Sequence, residues 1–183
     1  MPILPKVRDP RLITIRRGGT LTDEHHHLLA EWASQCAEHV LPLFESEAPA
    51  DLRPRNAIEV ARAWIRGEVP MTVAHDTAFT ANAAGKGLGD AARLAALSAG
   101  QAVAVAHVAA HDLGAAAYAI RAAQAAAPSQ DATAVRLQER DWQRAQLPDE
   151  VRDLVLDDQH NRSPICWNVF DDEPATAVAS PNL

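Results

Sequence analysis

Residues 90–127 read "DAARLAALSAGQAVAVAHVAAHDLGAAAYAIRAAQAAA". Alanine is the smallest good helix former, and the apolar pattern stays helical along the whole run. Asp90 suits a helix cap and Pro128 closes the stretch. Gly114, following His111 and Asp112, marks a bend or short break inside it. Side chains this small let helices approach closely, which favours layered helices over a β-sandwich. No charge falls between Arg93 and Asp112, about the length of a membrane span. Ser98, Gln101, His107 and His111 interrupt that stretch, and it is mostly alanine, so no transmembrane helix is expected.

Helical spacing continues on both sides. Thr22 or Asp23 caps a first helix carrying Leu29, Trp32, Cys36, His39, Val40 and Leu43, and Pro42 predicts a kink or early end. Pro54 suits the first turn of a second helix, which carries Ile58, Ala61 and Trp64 and stops at Gly67. A third spans about Thr72 to Ala84 and is broken by "GKGLGD". Beyond Pro128, a helix from Asp131 to Gln146 is expected to expose Arg136, Glu139, Arg140 and Arg144. Pro148 and Asp149 open the last, ending near Gln159, and "ICWNVF" straps an apolar patch onto the core. The expectation is an all-α, single-domain bundle of six to seven helices, with stacked helix pairs as one arrangement. An extended lead-in over 1–20 precedes the domain at 21–170, and a disordered tail follows over 171–183.

The composition agrees. A chain of 183 residues suffices for one core; hydrophobic residues make up 48% but aromatics only 4%, so alanine, leucine and valine do the packing. Cys36 and Cys166 lack metal-like spacing, and the N-terminus shows no continuous apolar run; both point to a reducing cytoplasm. Net charge is −7. Between Asp149 and Glu173 eight acids, Asp153, Asp157 and Asp158 among them, face only Arg152 and Arg162, so this segment holds nearly the whole imbalance. It repels phosphate backbones and attracts basic surfaces, which argues against a nucleic-acid partner.

The paired imidazoles are the first candidates for chemistry. On a continuous helix His107 and His111 lie about 40° apart around the axis and can face one point. Such a pair ligates zinc when other side chains complete the site, and Glu38 and His39 in "AEHVL" could do so. In that alternative the chain is a metal-dependent hydrolase or nuclease, with Asp112 also in reach. The H-E-x-x-H pattern is absent, however, and both His107 and His39 share stripes with small or apolar residues. Histidines bonded to backbone carbonyls are therefore the expectation, with no metal, cofactor or catalytic residue. "HHH" at 25–27 reads as a solvated first turn, because consecutive residues diverge on a helix. "GKGLGD" lacks a preceding strand and the P-loop spacing, so it reads as a linker. In "RPRNAIEVARAWIRGE", Glu59 is spaced to pair with Arg55 and Arg62 along one exposed face.

Four blocks in order carry a resemblance: W-A-x-x-C-A-E-H from Trp32, R-P-R-x-A-I-E-x-A-R-x-W from Arg53, A-H-x-A-x-H with G-A-A-x-Y-A from Ala106, and W-Q-x-x-x-L-P from Trp142. Over roughly Leu28 to Arg152 the chain resembles all-helical immunity proteins of bacterial polymorphic toxin systems. The resemblance implies a non-catalytic protein that binds and neutralises a cognate toxin. Its motif positions here are Trp32, Cys36, Glu38, His39, Arg53, Pro54, Arg55, Trp64, His107, His111, Tyr118 and Trp142. Many toxin domains are basic, so Asp153, Asp157 and Asp158 in the acidic segment are expected on the toxin-facing surface. A homodimer through the Ala/Gly face is a further possibility.

Overall fold

The computed structural model describes residues 3–172. It contains seven α-helices and, among the described residues, no strand beyond a single bridge pairing Thr14 with Leu21. They are α1 (Asp23–Glu45), α2 (Arg53–Ile65), α3 (Met71–Ala84), α4 (Asp90–Ala104), α5 (Asp112–Ala126), α6 (Ala132–Ala145) and α7 (Asp149–Arg162). The lead-in forms two 3-10 turns, Pro10–Leu12 and Ile15–Arg17, anchored by buried Leu12 and Leu21.

Helix α4 is the axis of the molecule. Ten of its residues are buried, from Ala92 to Ala104, so it is enclosed nearly all round, as a helix without a polar face must be. It packs against α1, α2, α3 and α5, and α6 lies on the outer side of α5. Small residues set these approaches. A Cβ on Gly100 would stand 2.1 Å from Asn82 Oδ1 of α3, and one on Gly114 would stand 2.5 Å from Gln101 Oε1 of α4. The large side chains come mainly from α1: Trp32 and Phe44 are fully buried, and the Trp32 indole donates to the Gln143 carbonyl at 2.8 Å. Thr22 caps α1 by accepting from the His25 amide. Pro42 does not end the helix, which runs on to Glu45.

The long alanine run is not one helix. It breaks upstream of Gly114: α4 stops at Ala104, residues 105–108 form a turn, Ala109–His111 a 3-10 turn, and α5 starts at Asp112. The freed carbonyls are taken by side chains from the two ends of the chain. His26 Nε2 donates to Val105 O at 2.7 Å, and Arg162 Nη1 donates to Ala110 O at 2.8 Å. An enclosed carbonyl without a donor costs about 1–3 kcal/mol, so these two partners hold the break.

Helix α6 also departs from expectation. Arg136, Glu139 and Arg140 are buried rather than exposed, while Trp142 and Leu137 are half-buried. The reason lies downstream, in the strap 163–172. Trp167 and Asn168 adopt left-handed φ, and the carbonyls that follow turn toward α6. Arg136 donates to Val169 O at 2.8 Å, and Arg140 and Arg144 donate to Phe170 O. The strap in turn buries Cys166, Val169 and Phe170, as its apolar pattern suggested. Residues 173–183, most of the expected tail, lie outside the described residues.

Candidate functional site

A cleft of about 530 Å³ opens where four segments meet. The lead-in supplies Arg8, Arg16 and Arg17; the start of α1 supplies Asp23, His26 and His27; the end of α2 supplies Trp64 and Arg66; and the break after α4 supplies Ala106 to Ala109. Gly67 makes the corner between α2 and α3 with φ +73°, a conformation that excludes most side chains. The 3-10 turn carrying Arg16 and Arg17 is held to the segment just before α1 by Ile15 N–H donating to Leu21 O and Leu21 N–H donating to Ile13 O.

The charge of this cleft is opposite to that of the chain. Four arginines line it against one acid, Asp23, which pairs with Arg16. Arg66 pairs with Glu68 outside the lining, and Arg8 and Arg17 have no ion-pair partner among the described residues. The guanidinium charges reach the imidazoles. His107 is held below its ordinary pKa by burial, then by His75, Arg17 and Arg8. Burial lowers His26 as well, against the pull of its bond to Val105 O. His26 and His27 both meet the Trp64 ring edge-on, with centroids 5.0 and 4.9 Å away. The solvated first turn expected for "HHH" is therefore corrected at His26, which is buried, because α1 begins inside the cleft wall.

The histidine pair behaves differently from a zinc couple. Since the helix breaks between them, the 40° relation does not hold. His107 sits in the turn, its Nδ1 enclosed without a partner and its ring 5.0 Å from that of His75. His111 donates from Nδ1 to Gln101 Oε1 at 2.7 Å, and burial with neighbouring His107, Arg162 and Arg8 lowers its pKa to about 4. Glu38 and His39 lie twelve and thirteen residues beyond His26 on α1, about 18–20 Å along the helix. Glu38 pairs with Arg62 of α2, while His39 stacks on Trp142 at 3.6 Å and donates to the buried Glu139 carboxylate. The structure does not bring these four together, and among the described residues no group of three metal-ligating side chains is arranged to hold an ion. Among the described residues the histidine that bonds to a backbone carbonyl is His26, not His39, His107 or His111.

The remaining candidates fall into three places. Asp112 and Asp158 are enclosed around Arg162: Asp158 takes two bonds from the guanidinium and Asp112 one, at 3.3 Å. Arg53 pairs with Asp51, and Arg55 reaches back to Glu45 of α1. The arginines of α2 thus bridge to α1 or to their own flanks rather than to Glu59. Asp153 and Asp157 are exposed on α7, with Asp157 paired to Arg11 of the lead-in.

The Imm-5 like putative immunity protein family model matches residues 19–150, well over half of the chain. The chain belongs to this family. The matched span takes in α1 to α6, including the blocks at Trp32, Arg53, Ala106 and Trp142. In this immunity-family chain the motif residues Trp32 and Cys36 are core, while Trp64 and His107 line the cleft. No curated protein and no solved structure matches the chain. No helix among the described residues is long and apolar enough to cross a membrane.

Proposed function

We propose that the chain is a cytoplasmic immunity protein of a bacterial toxin system, which binds a cognate toxin and blocks it without catalysing a reaction. The observation that carries this reading is the family match over residues 19–150. The surface offered to the toxin is the outer face of α7. Asp149, Glu150, Asp153 and Asp157 recur there at helical spacing and are all exposed, while Val151, Val155 and Asp158 turn inward. Arg152 and Arg11 neutralise Asp149 and Asp157 in part, so Glu150 and Asp153 carry most of the net field. Such a stripe speeds encounter with a basic toxin domain, whereas aromatic and arginine anchors set the lifetime of the complex.

The test is co-expression with the toxin domains encoded beside this chain, scored by growth and followed by binding measurements. Protection, with a dissociation constant below micromolar, is expected for one neighbour. The double substitution Glu150→Lys, Asp153→Lys should slow association at low salt and lose that effect at high salt. If no neighbour is toxic and none binds, the reading fails.

A further inference from the structure

The acidic stripe does not account for the basic cleft, whose charge is of the opposite sign. We propose that it is a binding site for a small anion carrying phosphate groups. Within a chain of net charge −7, four of the fifteen arginines gather on one concavity with a single lining acid, and two of them, Arg8 and Arg17, have no ion-pair partner among the described residues. Arg16 and Arg66 are taken up by Asp23 and Glu68, which leaves Arg8 and Arg17 as two like charges facing one concavity, a local field that favours an anion there.

The arrangement of donors selects the class. A carboxylate is planar and is satisfied by one guanidinium fork, whereas a phosphate presents acceptor oxygens in several directions. Here the donors arrive from separate elements: Arg8 and Arg17 from two places in the lead-in and His107 from the break after α4, with Arg66, bound to Glu68, on the rim at the end of α2. His107 adds a defined donor. Its Nδ1 is enclosed with no hydrogen-bond partner among the described residues, so the proton is least costly on Nε2. The volume of about 530 Å³ lies within the roughly 300–1,000 Å³ typical of small-molecule sites. The walls include Leu12, Ile65, Met71 and Val108, apolar surface that could cover an organic moiety attached to the phosphate.

Titration calorimetry on the whole chain, with inorganic pyrophosphate, ADP and citrate as separate probes, tests this. Pyrophosphate or ADP should bind with one-to-one stoichiometry and more tightly than citrate. Preference for ADP places an organic group against the apolar wall; equal affinity assigns recognition to the phosphates alone, and both support the site. Arg17→Glu and Arg8→Glu are exposed changes that leave the core intact, and each should weaken binding about tenfold to a hundredfold. Arg53→Ala, about 16 Å from Trp64 along α2, should leave it unchanged. Absence of binding for both phosphate probes at millimolar concentration, tighter binding of citrate, or equal affinity in the Arg17→Glu protein would overturn the assignment. None of these results depends on a toxin, so the two proposals fail separately.

Discussion

Replacing Asp112 by asparagine isolates the charge cluster beneath the helix break. Arg162 stands between two carboxylates, and the second negative charge has no cation of its own. Asp158 holds the stronger bonds to the guanidinium, so the deficit falls on Asp112, which is fully buried with Oδ2 unpartnered. Burial, with the neighbouring Asp158 charge, outweighs the attraction of Arg162 and pushes the Asp112 pKa from 3.8 up to about 7. A carboxyl whose folded-state pKa is raised contributes its full stability below its unfolded value. That stability is lost as pH rises toward the folded value, because the unfolded chain ionises first. Moving from 3.8 to about 7, at about 1.4 kcal/mol per unit, corresponds to a loss of about 4 kcal/mol, of which about 3 kcal/mol falls between pH 5 and pH 8. Asparagine cannot ionise, and any constant cost of its amide shifts the curve without tilting it. Urea unfolding followed by far-UV circular dichroism, at several pH values from 5 to 8, gives the difference in stability between the two proteins. That difference should move by about 3 kcal/mol in favour of the variant as pH rises. Parallel curves would mean that Asp112 is ionised throughout as an ordinary ion-pair partner, and the reasoning would be refuted.

His111 should act in the opposite sense. Its pKa is lowered to about 4, so the unfolded chain takes up a proton below pH 6.5 that the folded chain refuses. Stability should fall from pH 6.5 toward 4, and His111→Asn should flatten that slope in the same unfolding assay. Trp32→Ala removes a fully buried indole and its bond to Gln143 O, and should cost about 3–5 kcal/mol in urea unfolding. Gly100→Ala forces a methyl against Asn82 and the Ala78 carbonyl, and should lose about 1–3 kcal/mol, visible as a lower melting temperature. Arg62→Ala breaks partly exposed pairs with Glu31 and Glu38, and should cost no more than about 1 kcal/mol.

The helices themselves were legible because their punctuation is local. Thr22, Pro54, Pro128 and Pro148 stand beside the ends they mark, and α1 and α2 carry a polar face that gives their apolar stripe a phase. The break at 105–111 was not legible at its true position, for the opposite reason. A run that is apolar on every side has no phase to lose, and Gly114 drew the boundary because it is the residue that usually bends a helix. Val105 and Val108, branched residues flanking the turn, were the available signal. The inward turn of Arg136, Arg140 and Arg144 was hidden because the carbonyls they serve lie 26 to 33 residues downstream, and charged side chains are by default read as solvated. The cleft escaped detection altogether. Its residues come from four separated segments, and neither the Arg16–Arg17 pair nor "HHH" announces that they face each other.

The joint between α4 and α5 ties the middle of the chain to both of its ends. His26 reaches it across 79 residues and Arg162 across 52, so neither bond can form until distant segments have arrived. Each bond therefore carries the entropic cost of closing a long loop, which local helical contacts do not share. Trimming the chain before Arg162 would therefore be felt at its centre: Ala110 would lose its donor, and the cleft wall built on the same turn would lose its footing.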